Sequence, residues 1–237
     1  MLQIALQLLK QQRYRLKIHL RIGLTAAQIS EKMNKTPGLI GAMPTLEEGS
    51  LLADTYYYIY GTSRKALIAQ GKNWLKFYKK TLWARYQKTT RAKNIEQAVI
   101  LASIVGKECE IGEYEQVADV LFNRLEQSMR LQACCTVVYF TQQSRVLQNH
   151  LKIQNPYNTY RNRGLPPTPI GLVSKEVLER VLRAGKSSNL FYVKNGIDHR
   201  HNFSPTFELH RKHKNLWKKT LQKDTCSKKS VLVAGQG

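Results

Sequence analysis

Glu108 is the residue of this chain best suited by type and position to acid–base chemistry. It closes the stretch AVILASIVGKE, in which Leu101, Val105 and Glu108 follow at steps of four and three and so share one helix face. An apolar stripe that ends in a carboxyl group leaves that group partly desolvated. Desolvation favours the protonated form, and a carboxyl group that keeps its proton near neutral pH can act as a general acid. Glu110, two residues on, points elsewhere. The same pattern also fits a simpler reading, in which Glu108 is the first solvated residue after a buried helix.

The elements around Glu108 are legible from caps and periodicity. YRLKIHLRI alternates apolar and charged residues and predicts a half-buried strand that Gly23 ends. Thr25 is the expected N-cap of a helix to Met33. The stretch 34–50, with Pro37, Gly38, Gly41, Pro44 and Gly49, reads as a loop and lobe boundary. ADTYYYIYG predicts a strand or turn, and a long helix follows from Ser63 to about Tyr86. Its aromatic residues are read as core. Asn94 and Gln97 form a capping pair for the helix that carries Glu108. EYEQVADVLFNRLEQSM is a second amphipathic helix, and TVVYFTQ is expected as a short strand or buried turn. Residues 155–171 form a long polar, proline-rich loop, of a kind often functional. SKEVLERVLRAG is a helix with Ser174 as cap, NLFYVKNG a strand, and SPTFELHRKHKNLWKKTLQ a terminal helix. A short amphipathic helix is expected at residues 1–12.

The chain has 237 residues and is 42% hydrophobic, enough for one sizeable core. Its 38 Lys+Arg exceed its 16 Asp+Glu, for a formal charge of +22 that favours an anionic partner. No acid lies between Asp54 and Glu96, while ten basic residues do. The four cysteines, Cys109, Cys134, Cys135 and Cys226, fit no zinc spacing and are read as free thiols, so neither metal nor cofactor is expected. The start MLQIALQLLKQQRYR has too short an apolar run to span a membrane and no small-residue cleavage site, so neither anchor nor export signal is expected.

Seven blocks carry a resemblance: EGSLLADTYYY (48–58), ILASIVGKE (100–108), VADVLFNRLEQSMRLQ (117–132), TVVY (136–139), PYNTYRNRGLPPTPI (156–170), LFYV (190–193) and HNFSPTFELH (201–210). In this order and spacing they resemble the catalytic domain of the endolytic murein transglycosylases, the MltG (YceG-like) family. The resemblance implies an α+β fold, with a mainly helical catalytic domain at 41–220 that carries short strands. A partial LysM-like α/β lobe at 1–40 would precede it, and a disordered basic tail at 221–237 would follow. It implies a lyase that cuts peptidoglycan glycan strands between N-acetylmuramic acid and N-acetylglucosamine and leaves 1,6-anhydro ends. It maps the catalytic carboxyl onto Glu108, used as acid and then as base. The implied substrate-binding residues are Asn123, Arg124, Gln132, Thr136, Tyr157, Asn158, Thr159 and Tyr160. Arg124 would hold a substrate carboxylate or pair with Glu126 or Glu115. Gly164, Pro166 and Pro167 would shape one wall of the cleft. The implied partners are glycan strands, the cell-wall elongation machinery and the membrane surface, reached through basic charge. The family is anchored in the inner membrane and faces the periplasm or exterior.

The chain departs from the family pattern at several positions. Gly106 replaces the first Glu of a Glu-Lys-Glu motif, and Cys134 and Cys135 replace an Asp-Pro pair. GLVS follows the proline-rich loop where Asn-Pro-Gly is usual, and Leu209, His210 and Arg211 replace Glu-His-Asn. Two alternatives therefore accompany the transglycosylase reading. One is a catalytically impaired homologue that only binds glycan. The other is a basic nucleic-acid-binding protein, which rests on charge alone and has no recognition motif.

Overall fold

Side-chain caps set where most helices begin, and burial decides which faces turn inward. The computed structural model describes residues 15–109, 112–143, 145–198 and 200–233, with side chains to residue 220. The helix expected at 1–12 lies outside them. The fold is α+β and mainly helical. The chain divides into two units, one formed by residues up to Lys107 with Pro166–Leu182, the other by Glu108–Leu165 with Arg183 onward.

In the first unit, β1 (Leu16–Leu20) pairs antiparallel with β3 (Asp54–Tyr58), Leu16 opposite Tyr58 and Leu20 opposite Asp54. The alternation holds: Ile18, Leu20, Tyr56 and Tyr58 are buried, while Lys17, His19 and Tyr57 are exposed. The stretch 34–50, read from sequence as a lobe boundary, is a connection inside this unit. Helix α1 (Ala26–Asn34) opens on a capping box, the Thr25 hydroxyl accepting from the Gln28 N–H and the Gln28 side chain from the Thr25 N–H. Its Ile29 and Met33 enter the same core as the two strands. A short parallel pair, β2 (Leu39–Ile40) and β4 (Thr62–Ser63), leads into α2 (Arg64–Tyr86), where the Ser63 hydroxyl accepts from the Ala66 N–H. Trp74 stacks on Tyr56 with centroids 5.0 Å apart, so this aromatic of α2 is core, as expected.

Helix α3 (Ile95–Glu108) starts where the Asn94 side chain accepts from the Gln97 N–H at 2.8 Å. Ala98, Val99 and Leu101 through Val105 are all buried, which is the signature of a central helix. The proline-rich loop is tied to it: the Ile170 N–H donates to the Ser103 hydroxyl at 3.0 Å. The next residues thread between two segments. Gly23 and Leu24 exchange hydrogen bonds with Leu172, and the Ala53 N–H donates to the Val173 carbonyl. A Cβ on Gly171 would lie 2.6 Å from the Gly23 carbonyl oxygen, so only glycine allows this approach. Helix α6 (Lys175–Arg183) follows, with the Ser174 hydroxyl accepting from the Val177 N–H.

In the second unit, α4 (Tyr114–Glu126) buries Val117, Ala118, Val120, Leu121 and Phe122 and, against the usual pattern, Asp119, Asn123 and Arg124. The TVVYFTQ stretch lies in a helix, α5 (Cys134–Thr141), not in a strand or turn. Its β-branched residues favour extended structure locally, but a distant carboxylate caps its first turn and so overrides that preference. A left-handed Gln142 (φ 53°) ends it. Strands β5 (Phe191–Lys194) and β6 (His201–Ser204) form an antiparallel hairpin, and α7 (Phe207–Val233) packs on it through Phe207 against Phe191. The tail expected to be disordered from residue 221 is helical to Val233. No Gly or Pro interrupts the chain from Phe207 until Gly235.

Gly106 sits in α3 where a Cβ would meet the Ile22 Cγ2 methyl at 2.5 Å. A side chain at this position therefore requires Ile22 to move. Gly106→Ala is expected to cost about 1–3 kcal/mol through overpacking, less about 1 kcal/mol from better helix propensity. Gly106→Glu is expected to cost more. Denaturant unfolding of Gly106→Ala, Ile22→Ala and the double variant checks this. The double variant should be more stable than the sum of the single losses predicts.

Candidate active site

Glu108 is the last residue of α3, and its carboxylate Oε1 accepts the Cys135 N–H at 3.0 Å. Cys135 is the second residue of α5, so this N–H is one of the donors that no helix can satisfy internally. Ala133, the N-cap, has no side chain to do it. Glu108 thus caps α5 from outside, and the positive end of the helix dipole faces its carboxylate. A protonated carboxyl accepts the same bond through its carbonyl oxygen. The contact therefore holds Oε1 in either state.

The charge of Glu108 reaches two phenols and two thiols, those of Tyr160, Tyr192, Cys134 and Cys109. The Cys134 sulfur lies 3.0 Å from the Tyr160 hydroxyl. Burial pushes the Tyr160 phenol up, and its contact with Cys134 and the charge of Glu108 push the same way. Burial and then Glu108 drive the Tyr192 phenol, on β5, well above its ordinary value. Cys134 is raised by burial, against the hydrogen bond to Tyr160. Burial pushes Cys109 up to about 12, with Glu113 and Glu108 adding to it. Phenols and thiols alike stay protonated at neutral pH. Lys214, on α7, is the cation whose field reaches Cys134.

The other residues named from sequence mostly hold the backbone. Asn158 is fully buried. Its Nδ2 donates to the Ile153 carbonyl at 2.8 Å and to those of Leu151 and His150, while its Oδ1 accepts the Tyr160 N–H at 3.0 Å. It positions Tyr160 and points into the loop. The Thr159 hydroxyl accepts the Ala133 N–H at 3.0 Å and lies 2.9 Å from the Thr136 hydroxyl, which donates to the Ala133 carbonyl. Gln132 has a left-handed backbone (φ 51°), its N–H bonded to the Thr159 carbonyl and its side chain exposed. Tyr157 packs on Tyr139 of α5 at 4.8 Å between centroids. Asn123 donates to the Ser187 and Asn189 carbonyls. Arg124 donates to the Leu190 carbonyl at 2.6 Å and the Leu131 carbonyl at 2.7 Å, and its guanidinium lies over the Phe191 ring. Glu115 and Glu126 pair instead with Arg183 and Lys186. Of the residues named from sequence, Tyr160 is the one whose side-chain group both lies within the field of Glu108 and bonds a side chain of α5, while Asn123, Arg124, Thr136, Asn158 and Thr159 bond mainly to backbone.

Sequence reasoning missed Tyr192, Lys214 and a buried pair behind them. His201 Nδ1 lies 2.9 Å from Glu113 Oε2, and the His201 N–H donates to Oε1, which ties the start of α4 to β6 across 88 positions. Tyr192 stands in the quoted block LFYV, but nothing in that block marks its phenol as lying within the field of Glu108.

A sequence profile of the YceG-like family matches residues 1–216. The chain is 31% identical over 132 residues to an endolytic murein transglycosylase of Bacillus subtilis, covering 54% of this chain and 35% of that protein. It is 30% identical over 184 residues to the protein of the same name in Streptococcus pneumoniae, covering 70% of this chain and 32% of that one. A YceG-like protein of Listeria monocytogenes, solved at 2.6 Å, superposes with a TM-score of 0.68 at 25% identity, over 83% of this chain and 75% of that one. The helices and short strands around Glu108 are thus those of a known fold. This chain belongs to the YceG-like family. It spans about a third of the length of the curated relatives it matches.

Arg124→Ala leaves the Leu131 and Leu190 carbonyls without their donor and is expected to cost about 2–4 kcal/mol in denaturant unfolding. Arg124→Lys should recover less than half of that, because an ammonium cannot reproduce the planar fork. A second expectation concerns His210, half-buried on α7 and stacked on Phe191 at 5.2 Å. Burial, then the charges of Lys214, Arg124 and His213, hold its imidazole below the ordinary value. Below that ordinary value the unfolded chain takes up a proton that the folded one refuses, so stability falls as pH drops from about 6.5. Thermal unfolding of His210→Phe should show a shallower acid slope than the wild type.

Proposed function

We propose that this chain is the catalytic part of an endolytic lytic transglycosylase, with peptidoglycan glycan strands as substrate and Glu108 as the single acid and base. The observation that carries this is the Glu108 carboxyl held by the Cys135 N–H at 3.0 Å among protonated phenols and thiols. The names of the relatives support the substrate class.

One carboxyl group is enough for this reaction. A hydrolase needs a second to activate water or to attack the sugar. Here the proton on Oε2 goes to the glycosidic oxygen as its bond to C1 of the muramic residue breaks. The carboxylate so formed takes the proton of the C6 hydroxyl of the same sugar, whose oxygen bonds to C1 and closes the 1,6-anhydro ring. Oε1 stays on the Cys135 N–H throughout, so the group needs no rearrangement between its two tasks. Tyr160 and Tyr192, both protonated, are the hydroxyls nearest in kind to what a sugar ring requires. In this reading Asn158, Thr159, Thr136 and Gln132 act by fixing Tyr160 and the start of α5. The excess of basic residues concentrates anionic strands near the protein.

Glu108→Gln retains an oxygen acceptor for the Cys135 N–H and removes the titrating group. Uncrosslinked glycan strands incubated with the wild type should give fragments ending in 1,6-anhydro-muramic acid by mass spectrometry. Glu108→Gln should lower that rate at least about 100-fold. Fragments with reducing ends would mean hydrolysis. Unchanged cleavage by Glu108→Gln would move the acid elsewhere.

A further inference from the structure

Parts of two sequence blocks that take no part in the contacts around Glu108 meet elsewhere. EGS at 48–50 and PTP at 167–169, both in the first unit, line a cleft of about 480 Å³. Gly49 makes the junction. Its φ is +65°, and a Cβ there would lie 2.5 Å from the Pro169 Cβ, so the two segments touch because residue 49 has no side chain. The opposite wall is α2, which turns Lys72, Lys76 and Lys79 into the cleft at helical spacing. Lys79 pairs with Glu96 at 3.0 Å. Lys72 and Lys76 are exposed, and among the described residues neither has an acidic partner. Leu75 and Val99 make an apolar floor. Ser50 also lines the cleft, but its hydroxyl oxygen is buried behind the surface.

We propose that this cleft binds an acidic peptide, its carboxylates on Lys72 and Lys76 and its small apolar side chains on Leu75 and Val99. Glu47, Glu48 and Glu96 on the rim disfavour a polyphosphate, which carries no compensating cation, and suit a ligand with both charges. Within the transglycosylase reading, on which this step rests, the acidic peptide is the stem peptide carried by the glycan strand. The cleft then supplies a hold on the strand that is separate from the chemistry at Glu108.

The test is a binding measurement with Glu108→Gln protein, in which cleavage plays no part. The probes are uncrosslinked strands with stem peptides intact, the same strands after an amidase has removed the stems, and a DNA oligonucleotide. Intact strands should bind roughly fivefold tighter than stripped ones, the scale of two exposed ion pairs. Adding Lys72→Gln and Lys76→Gln should abolish that difference, with each variant's thermal unfolding as the control for folding. Equal binding of both strands, no binding of either, or a stem preference that survives the lysine changes would overturn the proposal. So would an equal loss for the oligonucleotide, since that signals general charge alone. Failure of the transglycosylase reading shows separately, as wild-type protein that prefers intact strands and does not cut them.

Discussion

A single hydrogen bond, from the Cys135 N–H to Glu108 Oε1, decides where α5 begins, and the geometry of the site follows from that start. Because α5 opens at Cys134, the Ala133 peptide group faces Thr159 and Thr136, and the Cys134 sulfur reaches the Tyr160 hydroxyl. A helix shifted by one residue would rotate these side chains by about 100° and part them. Glu108 is therefore a structural residue as well as the proposed acid and base. The Cys135 N–H can bond its oxygen in either protonation state, which suits the two tasks proposed for it.

The loop that carries Tyr160 has no regular secondary structure, yet side-chain and turn hydrogen bonds hold much of its backbone. Asn158 replaces a β-ladder with side-chain bonds, gathering three carbonyls and one N–H within eight residues. Such a residue is polar and wholly buried, and its polarity serves to place its neighbour. Asn123 and Arg124 do the same for residues 187–190, another stretch without helix, which they hold by its carbonyls. Precision at the site thus rests on buried polar side chains turned toward the backbone.

Where information was local, the sequence was legible. Thr25, Asn94 with Gln97, and Ser174 announced their helices, and the alternation in β1 announced its strand. Polarity within a family block pointed to Asn158 and Arg124 as binding residues. It could not distinguish a side chain that faces a ligand from one that faces a carbonyl. The helix at α5 was misread because its cap lies 27 positions upstream, and Tyr192 and the Glu113–His201 pair were missed for the same reason. Gly106 read as a lost carboxylate, and the packing of Ile22 against it is a tertiary fact that no local pattern carries.

Both units are discontinuous in sequence, with residues 166–182 given back to the first after the second has begun. Neither unit can be cut out of the gene as one uninterrupted piece. On a ribosome, the contacts that close the second unit, Asp119 with Ser187 and Glu113 with His201, wait until the chain has grown by 68 and 88 residues. Until then α4 exposes buried carboxylates and an apolar face that have no partners yet. Closing such long loops carries an entropy cost that rises only with the logarithm of their length, so the delay burdens the order of assembly more than the final stability.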